Sequence, residues 1–158
     1  MKKIFTAIIT AFLFQATTLH AFELDDFNGG KINLEDKIGQ GKWTLVMFWA
    51  HNCHVCKEEF PSFSDFNKKR SDVDVVGISI DGEEYKSQAQ AFLDATKPSF
   101  SSYITSLSLV SVNYEVLTEE NFRGTPTFLL FKPDGTLLGN NPGKLSVTAL
   151  ENFIDKNT

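Results

Sequence analysis

The most constraining feature of this chain is an unbroken apolar run that ends almost directly at a pair of cysteines. Residues 43–50 are rich in aromatic and β-branched side chains, which favours a strand buried on both faces of a sheet. Residues 57–69 follow with phenylalanines at helical spacing. Cys53 and Cys56 therefore lie where a buried strand passes into a helix, and we expect Cys53 near the N-terminus of that helix.

Cys53 and Cys56 are the two cysteines of the chain, and two residues separate them. A disulfide that closes so small a loop restrains little of the unfolded chain, so a chemical role explains the spacing better than a structural cross-link does. A helix N-terminus stabilises a thiolate, which predicts that Cys53 is the attacking thiol. Cys56, one turn further along, is predicted to be less exposed and to be the resolving thiol. A protonated His54 beside Cys53 would stabilise the thiolate further.

The remainder of the chain alternates between strand and helix patterns. The predicted strands are residues 22–25 and 31–34, which form a β-hairpin, then 73–80, 127–131 and 136–138. The predicted helices are one capped by Asp81 with Glu84 as its capping-box partner, one at 106–117, and a final one capped by Ser146. A break is expected at 140–143. This order of elements predicts an α/β sandwich.

The first 21 residues have the pattern of a secretory signal peptide. Two lysines precede an apolar stretch at 4–14, and a more polar end places a cleavage point after Ala21. The stretch is shorter than the roughly 20 apolar residues of a spanning helix, which favours cleavage over an uncleaved anchor. We expect one exported domain over residues 22–158. The net charge of −5 argues against a nucleic-acid partner, and no motif predicts a cofactor.

Three segments resemble the thioredoxin superfamily and, within it, the exported TlpA/ResA-like thiol–disulfide oxidoreductases. Residues 48–61 (FWAHNCHVCKEEFP) are similar to the active-site signature of that family. Residues 123–128 (RGTPTF), with the turn at 132–135 (KPDG), resemble its cis-proline loop and the hairpin that follows. Residues 22–34 resemble the additional N-terminal hairpin of the TlpA-like branch. The resemblance spans nearly all of the chain after the signal peptide.

The resemblance implies a three-layer α/β/α sandwich with a central mixed sheet, an N-terminal β-hairpin and a helical insertion. It implies a cis Pro126 against the cysteines, which leaves the backbone of Thr125 free to pair with an extended partner segment. Trp49 would form the floor of the site and pack partly inward. Glu83 resembles the position of an active-site acid, although an ordinary acid in a first helical turn is the alternative. Met47 stands where many thioredoxins have a buried acid.

These features predict a periplasmic thiol–disulfide oxidoreductase that acts on protein disulfides or dithiols. The resemblance implies a reductant, as in cytochrome c maturation, which would need a membrane thiol-relay protein. His54 instead favours an oxidase or isomerase, because a stabilised thiolate makes the disulfide easier to reduce.

A copper- or zinc-delivery protein is the alternative from a different class, since His51 and His54 add imidazoles to the two thiols. Donors so close in sequence at a helix start point in different directions, so we expect no metal site. His51 is instead interpreted as a surface residue next to the site. Glu58 and Glu59 are interpreted as a solvent-facing part of the helix.

Overall fold

The structure is a computed structural model that describes residues 21–158. The predicted signal peptide lies outside the described residues, apart from Ala21. The strands are β1 (Glu23–Asp25), β2 (Lys31–Asn33), β3 (Trp43–Trp49), β4 (Val73–Ser79), β5 (Ser101–Ile104), β6 (Thr127–Phe131) and β7 (Leu137–Pro142). They form one mixed sheet in the order β2-β1-β5-β4-β3-β6-β7. The predicted N-terminal hairpin is confirmed as the antiparallel pair β1–β2.

Helices cover both faces of this sheet. They are α1 (His54–Lys69), α2 (Lys86–Thr96), α3 (Leu107–Thr118) and α4 (Val147–Asn157), with a short 3-10 helix at Leu34–Lys37. Buried side chains of α1, α2 and α4 pack on one face, and those of α3 pack on the other. The predicted three-layer α/β/α sandwich is therefore confirmed. Within residues 21–158, no helix combines the length and the apolar character that crossing a bilayer requires.

Strand β3 is an interior strand of the sheet, between β4 and β6, and contributes to both hydrophobic cores. All seven of its residues are buried. Alternate side chains point to opposite faces, so Trp49 packs in the cluster under α1 while Phe48 packs in the cluster under α3. Strands β3, β4 and β5 are parallel neighbours. They end at the same edge of the sheet, and the residues that follow them are therefore brought together.

The structure differs from the predicted elements in three places. Strand β5 was not predicted, because its serines have low strand propensity, yet it pairs with β4 through the backbone. The helix predicted from Asp81 begins at Lys86 instead, and Tyr85 is its N-cap residue. The predicted break at 140–143 mostly belongs to β7, because an edge strand paired with β6 tolerates polar residues.

Candidate redox site

Cys53 and Cys56 are joined by a disulfide, with their Cα atoms 5.3 Å apart. Cys53 is the N-cap residue of α1, and its Sγ accepts a hydrogen bond from the Cys56 N–H at 3.1 Å. The preceding turn is closed by the Cys53 N–H, which donates to the Ala50 carbonyl at 3.0 Å. Cys53 is half-buried and Cys56 is fully buried, as predicted. A partner sulfur can therefore approach Cys53 more easily than Cys56.

The Thr125–Pro126 peptide bond is cis, as the resemblance implied. Strand β6 pairs antiparallel with β3 up to Phe48, so the register places Pro126 next to Trp49. This is the end of β3 that leads into the cysteine pair. Neither the N–H nor the carbonyl of Thr125 is hydrogen-bonded within residues 21–158. The backbone of Thr125 is thus available to an extended segment.

Trp49 lies deeper than the sequence predicted. Its side chain is fully buried, stacks on Phe92 with ring centroids 4.8 Å apart, and meets the edge of Phe60 at 5.4 Å. It belongs to the same core cluster as Cys56. The prediction of a partly exposed floor is wrong, because the aromatic side chains of α1 and α2 enclose the indole. Trp49 supports the site from within the core and offers no surface to a partner.

His51 is held by Asp81, whereas the sequence predicted a free surface residue. The imidazole Nδ1 lies 2.6 Å from Asp81 Oδ1, and the His51 N–H donates to Asp81 Oδ2 at 2.8 Å. The Ser79 hydroxyl also donates to Oδ2, at 2.6 Å. The Asp81 side chain is only 5% exposed, and the His51 ring stacks on Tyr85 with centroids 5.2 Å apart. Asp81 therefore anchors the turn before Cys53 and does not cap a helix.

His54 is exposed, as predicted, and its pairing is superficial. Its side chain is 84% exposed, and Nε2 lies 3.2 Å from Glu58 Oε1, one turn along α1. Lys144 Nζ lies 2.9 Å from the other oxygen of Glu58. The hydrogen bond and charge of Lys144, and then the charge of His54, lower the pKa of Glu58. Exposed ion pairs of this kind contribute little to stability.

Glu59 is half-buried, so its assignment to a solvent-facing helix surface is wrong. Its Oε1 accepts a hydrogen bond from the Leu145 N–H at 2.9 Å. Its Oε2 is buried and has no hydrogen-bond partner among the described residues. Burial raises the pKa of the Glu59 carboxyl, and the hydrogen bond from Leu145 opposes this effect. Glu59 follows Cys56 by three residues, so both side chains lie on one side of α1.

Glu83 is not drawn into the site. Its side chain is 87% exposed and lies 3.6 Å from Nζ of Lys86. Since α2 begins at Lys86, Glu83 precedes the first helical turn, and its interpretation as a first-turn acid is also wrong.

The possible metal donors are not gathered into one centre. His51 faces Asp81 and His54 faces Glu58, so each imidazole has a different carboxylate partner. In the part of the chain that the structure describes, no group of three or more His, Cys, Asp or Glu side chains is arranged to hold a metal ion.

Comparison with known proteins identifies the class to which this fold and cysteine pair belong. The model of the AhpC/TSA family matches residues 16–139, so the chain belongs to the AhpC/TSA family of thioredoxin-like proteins. The thiol–disulfide oxidoreductase ResA of Bacillus subtilis (strain 168) is 25% identical over 136 residues, which cover 85% of this chain and 70% of ResA. The thioredoxin-like protein YneN of the same organism is 26% identical over 136 residues, covering 85% and 75%.

A solved structure shows the same fold. It is that of a secreted Mycobacterium tuberculosis disulfide oxidoreductase homologous to E. coli DsbE, with a TM-score of 0.67 and 23% identity. The match covers 86% of this chain and 96% of that one. With its Cys53–Cys56 pair, the chain is a thiol–disulfide oxidoreductase that is similar to ResA.

Proposed function

We propose that this chain is an exported, periplasmic enzyme that reduces disulfides in partner proteins. One observation carries the proposal: the closed disulfide lies at the start of α1, with a half-buried Cys53 and a fully buried Cys56. In the reduced chain, Cys53 is therefore the thiol that can attack a partner, and in the oxidised chain it is the sulfur that a partner can attack. Cys56 is protected from external thiols. This asymmetry is what a cycle with one attacking and one resolving thiol requires.

The proposed cycle starts from the dithiol form of the chain. The Cys53 thiolate attacks one sulfur of the partner's disulfide, so a Cys53–partner bond forms and the partner's own disulfide breaks. The released partner thiolate takes a proton from water. Cys56 then attacks the Sγ of Cys53, closes the internal disulfide and releases the second partner thiolate. Two electrons pass to the partner, and the chain becomes oxidised.

We assign Glu59 as the group that accepts the proton of the Cys56 thiol. A buried thiol must lose its proton before it attacks, and Met47 occupies the place of the buried acid found in many thioredoxins. Glu59 lies on the same side of α1 as Cys56, and burial raises the pKa of its carboxyl. Among the described residues, its buried Oε2 has no hydrogen-bond partner, so this oxygen is free to accept a proton.

The cis-proline loop is the proposed docking point for the partner. Among the described residues, the backbone groups of Thr125 have no hydrogen-bond partner, and Thr125 precedes Pro126, which lies at the end of β3 that leads to Cys53. An extended partner segment that hydrogen-bonds to Thr125 would place its disulfide near Cys53, in the manner of strand addition.

The site of action and the direction of electron flow follow from the sequence pattern and from the relatives. Residues 1–21 have the composition of a signal peptide, which supports export. The TlpA/ResA type supports a reductant role, with the haem-binding cysteines of apocytochrome c as the expected substrate class. Because the chain has one cysteine pair, a membrane thiol-relay protein with its own dithiol would have to restore the reduced form.

Trapping the mixed disulfide tests this proposal. The reduced Cys56→Ser variant should form a stable mixed disulfide with an oxidised peptide that carries the two haem-binding cysteines. The matched Cys53→Ser variant should form none, and the wild-type protein should release the peptide with both thiols free. Full retention of exchange by Cys53→Ser would contradict the assignment, and exchange only in the direction of peptide oxidation would contradict the reductant role.

A further inference from the structure

The buried carboxylate of Asp81 is bonded to His51, in the turn that leads into the redox pair, and it takes no part in the proposed disulfide exchange. Three hydrogen bonds reach its two oxygens: two from His51, through its N–H and its imidazole, and one from the Ser79 hydroxyl. Its side chain is 5% exposed. A buried carboxylate costs free energy unless every oxygen is well paired, and this set of donors supplies that pairing.

Asp81 acts on the segment that carries the attacking cysteine. His51 begins the turn that leads to Cys53, and the Cys53 N–H closes this turn on the Ala50 carbonyl. One residue, Asn52, separates His51 from Cys53, which places the carboxylate on the order of 10 Å from the sulfur. A charge at that distance in a partly buried site still affects the stability of a thiolate.

The titratable groups around the imidazole are few. Asp81 lies against one edge of the ring, Tyr85 stacks on its face, and the neighbouring Glu84 raises the pKa of the Tyr85 hydroxyl. The hydrogen bonds from His51 partly offset the negative charge of Asp81. Replacing Asp81 removes that charge from the start of α1, and replacing His51 leaves it less well compensated.

We propose that His51 and Asp81 form a positioning pair that sets the reduction potential of the Cys53–Cys56 couple. The carboxylate disfavours a thiolate on Cys53, and the imidazole bonded to it offsets that effect. Loss of Asp81 therefore raises the potential, and loss of His51 lowers it. The inference rests on the proposed role of Cys53 as the attacking thiol, and it moves the tuning function from His54, where the sequence placed it, to His51.

The test compares the glutathione equilibria of the full chain and its variants at one fixed pH. Asp81→Asn should shift the equilibrium towards the reduced form by about three- to tenfold, and His51→Gln should shift it towards the oxidised form by a similar factor. The thiolate absorbance of the reduced proteins should follow the same order. His54→Gln should move the equilibrium less than His51→Gln.

Asp74→Asn is the matched control, because Asp74 lies on β4, the strand that precedes Asp81, and pairs with Lys42 at the other end of the sheet. It should leave the equilibrium unchanged. If both site variants shift the equilibrium in the same direction, or if neither shifts it while both lower stability, the pair is purely structural and the inference is overturned. A wild-type disulfide that does not equilibrate with glutathione would instead contradict the proposed function.

Discussion

Two histidines lie on either side of Cys53, and their surroundings differ completely. His51 is 23% exposed and bonded to a carboxylate that is itself almost fully buried. His54 is 84% exposed and pairs with Glu58 on the surface of α1. Both are close in sequence to Cys53, yet only His51 is fixed by the tertiary structure. Proximity in sequence is therefore a poor guide to which imidazole the fold holds in place beside the cysteine pair.

The partners of the two histidines explain the difference. Asp81 comes from the end of β4, which is parallel to β3, so the sheet brings it against the turn after β3. Glu58 comes from the same helix as His54, one turn away, and its other partner, Lys144, is also exposed. Solvent and salt weaken the second set of charges, whereas burial preserves the effect of the first.

The largest expected effect is on stability. Asp81→Ala removes the acceptor for the His51 N–H, the imidazole and the Ser79 hydroxyl, and should lower the free energy of unfolding by about 2–4 kcal/mol. Glu58→Ala removes the corresponding partner of His54 and should cause no measurable loss. Urea unfolding of the oxidised proteins measures both. If both variants lost the same free energy of unfolding, the partner of His51 would be no more important to the fold than the partner of His54.

A smaller effect should follow from the hydroxyl that supports Asp81. Ser79 is fully buried, and Ser79→Ala should lower the free energy of unfolding by about 1 kcal/mol, because Asp81 loses one donor. Ser111→Ala is the control, since the Ser111 hydroxyl donates within α3, far from the redox pair in sequence. The same urea experiment measures this effect. A Ser79→Ala variant as stable as the wild type would show that the hydrogen bond from Ser79 to Asp81 does not stabilise the fold.

Two neighbouring carboxyls of α1 should show opposite dependences on pH. Burial raises the pKa of Glu59 above its ordinary value of 4.5. The protonated carboxyl therefore contributes to the stability of the folded protein in full below pH 4.5, and this contribution is lost as the pH rises through the raised pKa. Glu59→Gln should therefore stabilise the protein slightly at neutral pH, and this gain should vanish at about pH 3.

The pKa of Glu58 is lowered, so its contribution is present above its ordinary value and is lost on acidification. Glu58→Gln should accordingly give no gain at neutral pH. Unfolding curves at the two pH values compare the variants, and a stabilising effect of both substitutions at neutral pH would contradict this account.

The smallest expected effect concerns salt. Raising the salt concentration from about 0.1 M to about 1 M should remove any difference in reduction potential between the wild type and His54→Gln. The larger shift expected of His51→Gln should persist, because the Asp81 carboxylate is shielded from solvent. Glutathione equilibria at the two concentrations measure this, and a His51 effect that disappears with salt would show that the two imidazoles are equivalent.

The fold around the cysteines was predictable because its signals are local. The apolar run of β3, the helical spacing after Cys56 and the cap at Ser146 each depend on neighbouring residues, and the structure contains all of them. Strand β5 was missed because its pairing with β4 is tertiary and its serines carry no strand signal.

The site was predictable only in part, for the same reason. The cysteine pair and the cis peptide bond before Pro126 are encoded in short motifs. The bond between His51 and Asp81 joins residues 30 positions apart, and Asp81 has the local pattern of a helix cap. The burial of Glu59 depends on the loop at Leu145, which folds over α1 from far along the chain.

The central claim is that Cys53 and Cys56 form a redox couple that opens and closes during function. The most direct measurement is the equilibrium between the wild-type protein and a series of glutathione mixtures, followed by alkylation of the free thiols and mass spectrometry. The account predicts one two-electron transition at a potential towards the reducing end of thioredoxin-like pairs, about −270 mV. A disulfide that stays closed in the most reducing mixtures, as structural disulfides below about −300 mV do, would contradict it.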